Sequence, residues 1–311
     1  LEPFAFAHAV SIQSSWSAMA DSCTIELPRD LEAESLALVE LIKRGDPVTV
    51  ELGYNGENET VFEGFVSAAP RGNQPFKIEC QDAMWPLASG THTASWTDAS
   101  LPEVVATVAP GVEAVVEEAR FGPFSISEET ATQVFGKLED YGFHAWFKGG
   151  VLYVGYPYPR QDEPIVDFDF SLNIQSHELE FMRADDIKIR VEAYSIPKGG
   201  GKRLTVYEPP KANTDDGGWQ LRKSPFFGVE SEADLRKQAK ALIADLRYDG
   251  LRGSFTCWGW PLVRHSDRVR LTHPRHPEWD GLYYAKRVET TFNTSSGYMQ
   301  KVQLGPLAPA P

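Results

Sequence analysis

Cysteine, basic side chains and long apolar runs are all scarce in this 311-residue chain, and each scarcity removes a class of explanation. Only three cysteines occur, Cys23, Cys80 and Cys257. They lack both the even count of a disulfide scaffold and the close pairs of a zinc site, and they read as small buried residues in strands. Thirty Lys and Arg stand against 44 Asp and Glu, a formal charge of −14. An outer surface built to grip nucleic acid is therefore not expected, because that binding rests on cations neutralising phosphate. The same balance suits a protein that DNA must pass without sticking. No apolar run approaches the roughly 20 residues of a membrane helix. No basic-then-apolar leader opens the chain. A soluble protein with no membrane insertion is expected.

Catalytic signatures are also missing. No Gly-x-Ser-x-Gly nucleophile turn and no helical His-Glu-x-x-His occurs. His265, His273 and His276 with Asp267 are metal-ligating residue types, but Pro274 and Pro277 mark their surroundings as a hairpin loop. Gly199 to Lys202 lacks the second spaced Gly of a phosphate loop, and Arg203 stands where that motif has Ser or Thr, so the run reads as a hairpin turn. Glu178 with Glu180, and Asp167 with Asp169, sit two apart in strand-like stretches and share a face. Paired carboxylates can hydrolyse glycosides, yet solvated acidic strand faces are far commoner. No catalytic, cofactor-binding or metal-ligating residue is assigned, no cofactor is implied, and the chain is not read as an enzyme.

What the sequence does contain is one pattern twice. Gly45-Asp46-Pro47-Val48-Thr49-Val50-Glu51-Leu52 is followed, after a polar turn, by Val61 to Ala68. Near the other end, His265-Ser266-Asp267-Arg268-Val269-Arg270-Leu271 is followed by Gly281 to Glu289. In each, an Asp precedes apolar residues at every second position, which predicts a β-hairpin. Two related β units in one chain point to assembly into a ring with further copies.

The organisation around these hairpins is α+β and β-rich. Residues 1–88 make a first β unit of about five strands, with a helix predicted over Glu34 to Arg44 and Gly45 just beyond its end. Residues 89–160 form an inserted α+β module. Ser100-Leu101-Pro102-Glu103 opens one helix with a capping box, Ser127 begins a second, and Phe143–Phe147 with Val151–Tyr156 form a hairpin turned by Gly149 and Gly150. Residues 161–311 make the second β unit. It contains a long loop over 208–229 and a helix over 231–248 with an apolar stripe of Leu235, Ala239, Leu242 and Leu246.

The run from Gly45 to Ala68, the stretch Asp82-Ala83-Met84-Trp85-Pro86-Leu87, the segment Ser127 to Tyr156 and the closing Gly281 to Gly305 together resemble bacteriophage tail (baseplate) hub proteins of the late control protein D family, similar also to the base of type VI secretion spike proteins. The resemblance implies two tail-tube-like β-barrels per chain and a homotrimer forming a pseudo-six-fold ring. It implies as partners a tail tube protein and a central spike protein, with DNA only as passing cargo. It places the protein in the virion tail, after assembly in the host cytoplasm, and brings no catalytic residue set. The main alternative is a tail-tip carbohydrate- or receptor-binding β-protein, suggested by Trp258 and Trp260 near Trp279. A cell-wall hydrolase ranks behind both.

Overall fold

Alternating apolar and polar residues build the first strands directly. β1 (Ala9–Ser15) buries Val10 and Ile12 on one face, and β2 (Ser22–Glu26) buries Cys23 opposite Ile12. β3 (Pro47–Tyr54) and β4 (Glu57–Ala68) form the expected hairpin. Its turn residues Asn55 and Gly56 both have positive φ, the geometry whose twist matches paired strands. β5 (Lys77–Gln81) then pairs with both β2 and β4. Val10, Ile12, Val50, Phe62, Val66 and Ile78 fill the core of this unit with Cys23 and Cys80. Those two cysteines face each other across β2 and β5 as free thiols, and burial raises the pKa of both.

The computed structural model describes residues 7–28, 42–68, 77–156, 158, 164–196, 203–210, 218–227, 229 and 231–309. The helix predicted from Glu34 to Arg44 lies outside these residues except for 42–44, which are not helical. Among the described residues no helix is long and apolar enough to cross a membrane.

The inserted module has its own core, centred on Leu101, Val104, Phe135, Leu138, Phe143 and Leu152. Its elements are α1 (Met84–Leu87), β6 (His92–Ser100), α2 (Leu101–Val108), β7 (Ala114–Val116), β8 (Arg120–Glu129), α3 (Ala131–Glu139), β9 (His144–Lys148) and β10 (Val151–Gly155). The capping box at Ser100 and Glu103 forms as the sequence predicts. The second helix starts later than expected. Ser127 belongs to β8, which pairs with β6, and Thr130 caps α3 through a second box with Gln133.

Two strands, β11 (Ile165–Asp169) and β12 (Ile174–Met182), precede a small separate sheet of β13 (Ile189–Ile196), β14 (Thr205–Glu208) and β15 (Gln220–Phe227). α4 (Glu232–Leu246), capped by Ser231, seals this sheet with Leu235 and Ala239. β15 corrects the loop expected over 208–229, of which residues 211–217 and 228 lie outside the described set. It pairs parallel to β13 at a sheet edge, where Pro225 is tolerated. Its exposed residues Gln220 to Lys223 carry no alternation to betray it.

The last strands are β16 (Gly250–Trp258), β17 (Arg268–Thr272), β18 (Gly281–Asn293) and β19 (Gly297–Leu307). β17 and β18 form the second expected hairpin. The protein is β-rich α+β, but its largest sheet is open. It runs β12-β16-β19-β18-β1-β2-β5-β4-β3, with β17 joining β18 and β11 joining β17, eleven strands in all. Instead of two separate closed units, the ladder between β1 and β18 makes the strands of both ends one sheet. Two distinct cores remain along it, the first already described and a second around Phe168, Leu251, Phe255, Val269, Tyr283 and Val302.

Candidate functional site

The 13-residue length of β18 creates the most unusual place in the molecule. Along one edge, Gly281–Tyr284 pair with β17 and Arg287–Asn293 pair with β1. At the handover, Ser266 N–H donates to Ala285 O at 2.7 Å, and Ser15 Oγ donates to Lys286 O at 3.2 Å. Where strands meet end to end, buried N–H groups need acceptors that a continuing ladder would have supplied. Aspartates supply them here. Asp21 accepts from Ser15 N–H (3.0 Å), Asp82 from the N–H groups of Asp21 and Met84 (both 3.0 Å), and Asp267 from Arg264 N–H (2.7 Å). Ser14 Oγ also donates to Asp21.

The module closes the cluster from its own side. Lys148, at the end of β9, places Nζ 2.9 Å from Asp267 Oδ1. Phe147 O lies 3.4 Å from His265 Nε2. First unit, module and second unit therefore meet at one buried polar junction.

Burial governs its electrostatics. It pushes the Asp21 carboxyl up to about 7, with the neighbouring Asp82 charge adding to the effect. It raises Asp82 to about 6 against the pull of its two N–H donors. Burial and then the Lys148 ammonium lower His265 to about 4. His265, 2% exposed, is therefore neutral at pH 7. Phe147 O can only accept, which places the ring proton on Nε2. The 3.9 Å approach of that nitrogen to Asp21 is thus a long polar contact, not an ion pair. Ser, His and Asp stand together, but Ser14 donates to the aspartate and His265 is sealed from solvent. In this arrangement each of these groups is engaged in holding elements of the fold together.

A second contact ties the first hairpin to the far end of the sheet. Tyr54 Oη donates to Tyr298 O at 2.6 Å and accepts from Gly259 N–H at 3.1 Å, while the two tyrosine rings stack with centroids 5.6 Å apart. Gly259 is required here, since a Cβ would lie 2.3 Å from the Tyr298 ring. Beside this clamp opens a cleft of about 390 Å³ between the β3–β4 tip, residues 259–262 and Tyr298.

The candidates weighed in the sequence separate in space. His265 and Asp267 lie in the junction. His273 and His276 lie in an exposed turn with Phe170 and Trp279, where His276 Nδ1 is 3.0 Å from Glu278. Among the described residues no three His, Cys, Asp or Glu side chains are grouped to hold a metal. Glu178 pairs with Lys301 across the intervening β16, Asp167 pairs with Arg270 directly opposite it on β17, each at 2.9 Å, and Asp169 accepts from Ser171. Gly199 to Lys202 lies outside the described residues. Trp258 and Trp260 are 47% and 61% exposed. Trp279 instead packs against the second core. No local motif marks Asp21, Asp82 and Lys148 as site residues, because their partners lie 61 and 119 residues away in sequence.

No protein-family profile matches the chain, and no curated protein matches it in sequence. Solved structures do match. The chain superposes on the tail protein of Neisseria meningitidis MC58 with a TM-score of 0.62 at 18% identity, over 96% of this chain and 91% of that one. For the tail protein of prophage MuSo2 from Shewanella oneidensis the values are 0.65, 15%, 98% and 96%. This chain has the fold of phage tail proteins. It is also similar to an E. coli type VI secretion system component, itself described as resembling tail proteins of bacteriophage T4, with a TM-score of 0.60, 9% identity, and coverage of 100% and 78%.

Proposed function

We propose that the protein is a non-enzymatic structural hub of a phage tail or a related contractile injection device. The observation carrying this reading is the match to the Neisseria meningitidis tail protein and the MuSo2 prophage tail protein over almost the full length of both chains in each case. The two cores along one sheet support it further, as two tube-like β units of a single chain. In this reading three copies form a ring of six related units, letting a three-fold object meet a six-fold tube. The tail tube protein lies on one side and the central spike on the other, in the virion tail after assembly in the host cytoplasm. DNA crosses only as cargo, and the charge of −14 suits a path that repels phosphate.

Native mass spectrometry of the purified chain, with cryo-electron microscopy of any assembly found, tests the proposal. A trimer with six similar lobes around a bore is the expected result. A chain that stays monomeric at high concentration, alone and with a tube protein, overturns the ring. The rival reading of a glycan- or receptor-binding tail-tip protein rests on the exposure of Trp258 and Trp260.

A further inference from the structure

The cleft beside the Tyr54 clamp brings two acidic side chains and an exposed indole together. Glu57 and Glu59 stand two apart in β4 and so share a face, opposite Tyr54 and Leu52 in the register with β3. Both carboxylates are exposed at the cleft, and neither has an ion-pair partner among the described residues. Arg264, the nearby cation, is instead held on Thr60 O at 3.2 Å. Across the cleft Trp260 is 61% exposed and makes no ring contact among the described residues. The wall behind is rigid, because Tyr54 is fixed to both Tyr298 and Gly259.

An open indole face attracts a cation through its ring quadrupole, and two like charges on one face attract the same cation and repel anions. A volume of about 390 Å³ accommodates one long side chain. We propose that this cleft is a docking socket for an arginine or lysine side chain of a partner protein, stacked on Trp260 and neutralised by Glu57 and Glu59. The socket is built from the β3–β4 tip of the first unit and the 259–262 segment of the second, so its occupant bridges both. The inference does not depend on the ring or its stoichiometry.

The test uses the full chain labelled with 5-fluorotryptophan, with the Trp260 fluorine resonance assigned by Trp260→Phe. N-acetyl-arginine amide is titrated against its neutral isostere, N-acetyl-citrulline amide, and against N-acetylglucosamine. The expected result is a saturable shift of the Trp260 resonance with a dissociation constant on the order of 10 mM for the arginine compound, while the Trp279 resonance stays still. Glu57→Gln/Glu59→Gln is expected to weaken binding roughly fivefold or more, as is high salt. Both substitutions lie on an exposed hairpin face, and an unchanged fluorine spectrum elsewhere verifies that the variant folds. An equal shift with the citrulline compound, a shift with the sugar alone, or no shift at ten times that concentration overturns the proposal. The sugar result would assign the cleft to glycan binding instead.

Discussion

Lys148 of the module hairpin and Asp267 of the second β unit, 119 residues apart in sequence, meet at 2.9 Å with side chains only 13% and 6% exposed. The pair sits where β17 gives way to β1 along β18, so it fastens the module to the seam of the large sheet.

Removing one partner of a buried pair leaves the other charge less well compensated, at a cost of about 3 kcal/mol. Lys148→Met is expected to destabilise the chain by that order. Asp267→Asn keeps an acceptor for Arg264 N–H, and Lys148→Met in that background is expected to cost much less. Denaturant unfolding of the four proteins gives the coupling. A coupling near zero would show that the contact holds nothing together.

The acids of the same junction set a pH dependence. Asp21 and Asp82 have folded pKa values of about 7 and about 6, raised above the ordinary 3.8. Their contribution to stability is full below about pH 4 and is lost as pH rises through those values. His265 acts oppositely: its folded pKa is depressed to about 4, so its contribution is full above about 6.5 and is lost as pH falls toward 4. Asp21→Asn can still accept from Ser15 N–H and can donate to Ser14. It is expected to be more stable than the parent at pH 8, on the order of 1 kcal/mol or more, with the advantage shrinking toward pH 4. Thermal melts across that range check it, and a constant difference at all pH values would remove Asp21 ionisation as the cause.

Much of the fold could be read in the chain because its signals were local. Alternation gave both hairpins, Ser100 and Glu103 announced α2, and Ser231 announced α4 with its stripe of Leu235 and Ala239. β15 stayed hidden because an exposed edge strand with Pro225 has the composition of a loop. The joining of both units into one sheet was equally illegible, since no property of Val10 or Ile12 names Phe292 or Thr290 as partners. The junction escaped for a related reason. Asp21, Asp82 and Lys148 look like surface charges until the fold buries them together.

The Tyr54 clamp gives a prediction about local order. Tyr54→Phe removes a hydroxyl that serves both Tyr298 O and Gly259 N–H, a loss of about 1–2 kcal/mol. Gly259→Ala forces a Cβ into the Tyr298 ring and is expected to cost more, about 1–3 kcal/mol with displacement of that ring. Amide exchange at residues 259 and 260 is expected to quicken in both variants while the β17–β18 hairpin stays protected. Unchanged exchange at those amides would mean that the clamp does not order the segment.

β1 offers the sharpest test of how independent the two cores are. Ile12 is buried in the first core, faces Cys23 in β2 and Thr290 in β18, and belongs to the strand that joins the two halves of the sheet. Ile12→Ala is expected to cost about 2–5 kcal/mol through lost burial and the cavity left behind. If each core stabilises its own half, hydrogen exchange will quicken in β1, β2 and the Arg287–Asn293 half of β18. The Gly281–Tyr284 half, held by β17 and packed on the second core, will keep its protection. Equal loss along the whole of β18 would instead show that the sheet unfolds as one cooperative unit despite its two cores.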